Sequence, residues 1–340
     1  MSDIRADFDV DIPIDHNFHQ QTNNQVDRWE SSLPEEYWEY RRKWEEYPKQ
    51  KMLTNFPIHL DIEATTACNL KCVMCPRTEM IKAGNFWSVK AFDLDSYKQL
   101  IDEGVQHGLC SVKYNYLGEP LMNKQIVEMV AYAKQAGVLD VMFNTNAALL
   151  TEDISRALVA SGLDKLFFSF DSPEPQRYES IRVGAKYDQV LTNIKNFMRI
   201  REEMDSIKPF TRVSMVLMQE NQHEWEAYKK LFEPIVDAVA YVDYLDHNCQ
   251  SNPQLSVVKM NKGRKKFCCP QLWQRMFIHP DGVVTPCCID SSRELVMGNI
   301  KDDTAAEIWK GQTYQKLRKQ HSEGRFDTVP TCARCPLAHY

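Results

Sequence analysis

Apolar and polar residues alternate through Ile58, Leu60, Ile62 and Ala64, the period-two signature of a strand with one buried face. The pattern then switches repeatedly between helical and strand periods. It predicts a helix over 93–106, a strand over 111–116, a helix over 123–135 ending at Gly137, and a strand over 138–144. Thr151 caps a further helix that stops at Gly162. A strand over 165–169, a helix over 187–203, a strand over 212–218, a helix over 224–232 and a strand over 239–244 complete the series. Six β/α units in alternation imply a parallel sheet with right-handed crossovers. They are too few for an eight-fold barrel, so residues 57–245 are expected to form an α/β partial (β/α)6 barrel, curved and open.

The flanks read differently. Residues 1–56 are polar, carry no strand pattern and form an N-terminal helical extension. Within it, 34–48 predicts a helix with Tyr37, Tyr40, Trp44 and Tyr47 on one stripe, Pro34 in its first turn and Pro48 ending it. The stripe is read as an aromatic face docked on the main domain; the alternative is a lid over a substrate. A boundary is expected between Tyr244 and Lys262, with residues 246–340 forming a small C-terminal domain. There 276–279 and 283–285 flank Asp281-Gly282 as a hairpin, and a helix follows over 304–320.

A hydrophobic content of 43% supports a sizeable core. The net charge of -6, with no dense basic run beyond the short turn-like stretch Lys262 to Lys266, argues against nucleic acid as a partner. No run of 18 apolar residues predicts a membrane span, and the first residues lack the apolar core of a signal peptide. The chain is therefore expected to be cytoplasmic. Eleven cysteines in such a chain do not read as a disulfide framework. Cys68, Cys72 and Cys75 form one knot, and Cys268, Cys269, Cys287, Cys288, Cys332 and Cys335 a second, while Cys110 and Cys249 stand apart. Clustered thiols in a reducing compartment point to metal.

The first knot directly follows the first predicted strand. Three thiolates on one loop can face one [4Fe–4S] cluster and leave one iron without a protein ligand, the mark of a catalytic site. A zinc site lacking its fourth ligand is the competing reading. The pattern C-x3-C-x2-C resembles the signature of the radical S-adenosylmethionine (SAM) superfamily, with Met74 where the family usually has an aromatic residue. Further motifs lie at the C-terminal ends of successive predicted strands, where barrel sites are built. By resemblance, Leu117-Gly118-Glu119-Pro120 is the segment that contacts the SAM amino group, and Gly118 allows close backbone approach. Asn144 and Asn146, then Ser169 and Asp171 with Arg182, correspond to places that touch the SAM ribose and carboxylate, and Met218 flanks the adenine.

For the second knot, four thiolates complete a closed site that geometry alone would allow to zinc as well. The segment looks like the SPASM/twitch region of radical SAM enzymes in its single-cluster form. Its spacing is similar to that of 2-deoxy-scyllo-inosamine dehydrogenases and related sugar epimerases. The resemblance implies an auxiliary [4Fe–4S] cluster on Cys269, Cys287, Cys332 and Cys335, with Cys269 preferred to Cys268 because Pro270 follows it. Cys288 is read either as a buried structural thiol or as a catalytic hydrogen-atom donor. Cys249 is a second donor candidate, and Cys110 is read as core.

The resemblance further implies two clusters, SAM cleaved to a 5′-deoxyadenosyl radical, and an electron donor such as flavodoxin or ferredoxin. Hydrogen abstraction from a sugar- or aminocyclitol-like substrate would end in oxidation or epimerisation of that carbon; peptide modification is the alternative. Tyr116, Asp243, Asp246 and His247 are candidates to meet the substrate.

Overall fold

The structure is a computed structural model that describes residues 18–22, 26–246, 253–257 and 266–339. His247 and Cys249 lie outside the described residues. Ten strands among them form one sheet: β1 (Phe18–Thr22), β2 (His59–Ile62), β3 (Ser111–Tyr114), β4 (Asp140–Thr145), β5 (Lys165–Ser169), β6 (Phe210–Leu217), β7 (Ala238–Asp243), β8 (Arg275–Ile278), β9 (Val283–Thr285) and β10 (Gly298–Asn299). Their order is β1-β7-β6-β5-β4-β3-β2-β8-β9-β10. The six expected strands are parallel neighbours in chain order, joined by helices that include Leu94–Gln106, Glu152–Ala160 and Tyr187–Glu203. Asp93 and Thr151 cap the first two of these helices with their side chains.

Alternation along the strands sorts residues to two faces. Leu60 and Ile62, Val112 and Tyr114, Val141 and Phe143 pack with helix residues such as Leu100, Met129 and Ile194 in the main core. The intervening His59, Asp61, Lys113, Met142, Phe167 and Arg212 line one cavity, together with Arg275 and Phe277 of β8. Strands far apart in the sheet order thus face one space, which requires the sheet to curl into a partial barrel.

Several expectations are corrected. The strand β1 lies within the supposedly strandless extension and pairs antiparallel with β7. It offers backbone groups to an open sheet edge, so it needs no apolar alternation. Pro48 does not end the helix, which runs over Glu35–Gln50 and closes at Lys51 in the left-handed region (φ 52°). Across the expected domain boundary the sheet is continuous, because β8 pairs in parallel with β2. The hairpin is present as antiparallel β8 and β9. The single helix expected over 304–320 is two, Ala305–Lys310 and Gln312–Ser322, broken at Gly311, whose extended backbone (φ -64°, ψ 160°) no helix can hold.

Tyr37, Tyr40 and Trp44 are buried as expected, against Ile58, Met142, Phe167, Phe210 and Ala238. Ile58, Phe210 and Ala238 sit at or just before the starts of the parallel strands, and Met142 and Phe167 two residues inside theirs, so the helix packs across the N-terminal end of the barrel. The Lys165 ammonium donates to Tyr37 Oη (2.9 Å) and pairs with Asp140 (2.6 Å), and Gln274 Nε2 donates to the Trp44 carbonyl (2.6 Å). The extension is a floor, at the opposite end from the motif-bearing strand ends.

Candidate active site and auxiliary cysteine cluster

The chain leaves β2 at Ile62 and turns through the loop that carries Cys68, Cys72 and Cys75. Leu70 and Met74 anchor this loop in the core, so Met74 does supply apolar cover. Its backbone is tied to the segment after β5: Lys71 N–H donates to Val183 O (2.9 Å) and Val73 N–H to Ile181 O (3.0 Å). Cys72 is buried, and Cys68 and Cys75 are half-buried. The three thiols sit close enough to act on one another electrostatically. Burial pushes all three up, Cys75 to about 12, so they favour the neutral thiol until a cation compensates the charge. Arg182 is that kind of neighbour for Cys72: its Nη1 lies 3.8 Å from the Cys72 sulfur. Asp171 holds the same guanidinium through Nε. Asp171 is in turn fixed by the Val216 N–H (2.8 Å).

At the rim, Gly118 allows a close backbone approach, here of the chain's own Thr65 and Ala67. A Cβ there would sit 1.7 Å from the Thr65 carbonyl oxygen and 2.9 Å from that of Ala67, so its bare backbone packs on the approach to the cysteine loop. Glu119 is buried, and its carboxylate accepts from Thr145 Oγ1 (2.7 Å), Asn146 N–H (2.8 Å) and Leu121 N–H (3.2 Å). It therefore ties the end of β3 to the end of β4. Asn146 Nδ2 reaches Asn69 Oδ1 (2.9 Å) in the cysteine loop. Asn144 Oδ1 is buried with no hydrogen-bond partner among the described residues, an acceptor suited to an outside donor. Ser169 is half-buried at the end of β5, and Met218 is fully buried in the core.

The second knot assembles from distant segments. Cys269, Cys287, Cys332 and Cys335 line one small apolar cavity with Phe267 and Pro286. Cys268 points elsewhere and is fully buried in the main core. His321, which spacing did not reveal, bridges two of the thiol segments. Cys269 N–H donates to its Nδ1 (3.2 Å), so the ring proton sits on Nε2, facing the Cys332 sulfur at 3.3 Å. Cys288, next to Cys287, lines the barrel cavity instead, and Gln271 Nε2 donates to its sulfur (3.4 Å).

The barrel cavity measures about 970 Å³ among the described residues. Its wall holds His59, Asp61, Lys113, Arg212 and Arg275, none of which motif reading singled out. The available signal was the polar half of each strand's alternation. Asp61 lies 3.3 Å from His59 and 3.4 Å from Arg275. Burial raises its pKa, but the attraction and hydrogen bond of His59, with the charge of Arg275, outweigh burial and bring the carboxyl down to about 2. Above it, Glu63 links the two halves: it accepts from Leu117 N–H (3.2 Å) and pairs with His279 of the hairpin (2.9 Å). Tyr116 packs its ring on His279 (centroids 5.2 Å apart). Its backbone is held at φ 129°, a region side-chain-bearing residues rarely adopt, and its buried hydroxyl has no hydrogen-bond partner among the described residues. Asp243 and Asp246 are not among the residues lining the cavity. Cys110 is half-buried beside the floor cluster.

Comparison with known proteins accords with these features. Residues 62–232 match the radical SAM superfamily, and residues 268–336 match SPASM, an iron–sulfur cluster-binding domain. The tungsten-containing aldehyde ferredoxin oxidoreductase cofactor-modifying protein of Pyrococcus furiosus is 21% identical over 322 residues, covering 82% of this chain and 87% of that one. A GTP 3′,8-cyclase of Limosilactobacillus fermentum is 34% identical over 137 residues, 40% of either chain. BtrN in complex with AdoMet and 2-DOIA superposes with a TM-score of 0.52 at 18% identity, over 82% of this chain and 92% of BtrN. SuiB of Streptococcus suis bound to precursor peptide SuiA superposes with a TM-score of 0.62 at 14% identity, over 82% of this chain and 70% of SuiB. At such identities the superpositions establish a shared fold. No helix among the described residues is long and apolar enough to cross a membrane.

Proposed function

The chain belongs to the radical SAM superfamily and carries a SPASM iron–sulfur domain, and on that footing we propose that it oxidises or epimerises a carbinol carbon of a small polar substrate held in the barrel cavity. The family's cofactors are a [4Fe–4S] cluster with SAM, and the SPASM domain's is auxiliary iron–sulfur. When bound, they supply a carbon radical able to take a hydrogen atom, and a redox partner close to it. Cys68, Cys72 and Cys75 would hold the first cluster, and Cys269, Cys287, Cys332 and Cys335 the auxiliary one. A flavodoxin- or ferredoxin-like protein would supply electrons.

The chain's own residues divide the remaining work. Arg182, oriented by Asp171, places positive charge beside Cys72. Asn144 offers an unpaired acceptor at the rim, where SAM contacts are expected, and Asn146 and Glu119 hold the rim to the cysteine loop. Gly118 lets that contact close. Ser169 and Met218 complete the proposed SAM set, Met218 by packing beneath the rim. The floor helix lines the N-terminal end of the cavity with Tyr37, Tyr40 and Trp44.

The observation that carries the reading is the split between adjacent cysteines: Cys287 lines the thiol cavity while Cys288 lines the barrel cavity. Cys288 can therefore present a hydrogen atom to a substrate carbon. The test is a reaction with a panel of sugars and cyclitols in D2O, repeated with Cys288→Ala. Deuterium at an inverted carbon, lost in the variant, marks epimerisation; an unlabelled ketone marks dehydrogenation. SAM turnover only in the presence of a peptide would overturn the small-molecule reading in favour of peptide modification.

A further inference from the structure

We propose that the barrel cavity takes a substrate bearing an anionic oxygen group, a carboxylate or phosphate, and that Lys113 is the residue that anchors it. This rests on the reading of the cavity as the substrate site, and it names the class of substrate within that reading.

Lys113 lies mid-strand on β3, in register with Asp61 of β2 and Met142 of β4. Its ammonium points into the cavity, where it stands 6.0 Å over the Phe167 ring, and it makes no hydrogen bond or ion pair among the described residues. The charged and titratable groups that face it are Asp61 and His59 from β2, Arg275 from β8, Arg212 from β6, and Cys288. The nearby carboxylate of Asp61 is already engaged by His59 and Arg275. The cavity's other carboxylates, Glu30, Glu45 and Glu46, lie on the exposed N-terminal segment, so the Lys113 ammonium itself has no paired counter-ion among the described residues. Burying an ammonium without a counter-ion is costly, and an incoming anion would relieve that cost while a protonated amine would add to it. Burial first, with the charges of Arg212 and Arg275, pushes Lys113 from 10.5 down to about 8 against the pull of Asp61. The site therefore favours a sugar acid or sugar phosphate over an aminocyclitol.

The test uses the anaerobically loaded full chain and isothermal titration calorimetry at about pH 8.5, in two buffers of different ionisation enthalpy. The probes are glucuronate, glucose 6-phosphate, glucose and glucosamine. The expectation is that glucuronate or glucose 6-phosphate binds, whichever source of the anion fits, with a fraction of a proton taken up as Lys113 regains its charge. Lys113→Met weakens that binding by at least about tenfold and removes the proton uptake. Lys113→Arg keeps the binding without the uptake. Glucose or glucosamine binding as tightly as the acids overturns the anion proposal while leaving the cavity reading intact, provided Met142→Trp, which fills the cavity, abolishes that binding. Unchanged acid binding and proton uptake in Lys113→Met overturns the role of Lys113. Absence of binding by all four probes overturns the proposal and the cavity reading together.

Discussion

The two thiol clusters differ in how the chain makes them. Cys68, Cys72 and Cys75 come from one loop, pinned by Leu70, Met74 and backbone bonds to Ile181 and Val183, and a cation stands at the side. The second set draws on three chain segments, around Cys269, Cys287 and Cys332 to Cys335, that meet only in the folded protein, enclosed by Phe267, Pro286 and His321. A short loop with three donors leaves coordination open, whereas an enclosure with four uses it up. The first arrangement suits binding of an outside ligand, and the second suits passing electrons without chemistry at the metal.

The largest effect should come from breaking one cluster at a time. Cys72→Ala should remove roughly half the bound iron and all SAM cleavage, while Cys332→Ala should lose a similar share of iron and keep cleavage. Iron and sulfide counts with a 5′-deoxyadenosine assay check both; equal loss of cleavage in the two variants would erase the distinction. Next, Asp171→Ala leaves Arg182 buried beside Cys72 without its carboxylate. Removing one partner of such a pair costs about 3–5 kcal/mol, to be read from anaerobic urea unfolding. A smaller effect is expected at the second cluster, where His321→Ala removes the Nε2–H facing Cys332. Auxiliary iron should be released to a chelator about 10- to 100-fold more readily, with the spectrum of the first cluster unchanged.

The smallest effect separates the cavity from both clusters. Lys113 titrates near 8 in the folded chain against 10.5 free, so between these values the unfolded chain binds more protons. Stability should therefore rise with pH across that window, by at most about 1.4 kcal/mol per pH unit from this one group. Lys113→Met should flatten that part of the slope, and urea midpoints at pH 8 and 9.5 give the comparison.

What the sequence made legible follows physical cause. The outward residues of β2 to β7 are apolar because helices cover them, and that alternation placed all six strands. The same alternation hid the cavity: His59, Asp61 and Lys113 read as solvent-facing until the curl of the sheet puts them inside. β1 went unread because an edge strand can be held by backbone bonds alone, and its Phe18–Thr22 sequence carries no period. The cysteine spacing announced both knots, and Pro270 pointed to Cys269 over Cys268. Spacing could not announce His321, which reaches Cys269 only through tertiary packing, nor what approaches Gly118, the backbone of Thr65 and Ala67.

The account stands on the vacancy left by three thiolates. Electron–nuclear double resonance on the reduced, anaerobically loaded Cys332→Ala protein, with SAM carrying 15N and 17O in its amino and carboxylate groups, measures it directly. The account predicts hyperfine coupling of both labels to the cluster held by Cys68, Cys72 and Cys75. A reduced cluster at these cysteines that shows no coupling to either label and leaves SAM uncleaved under strong reductant would contradict it.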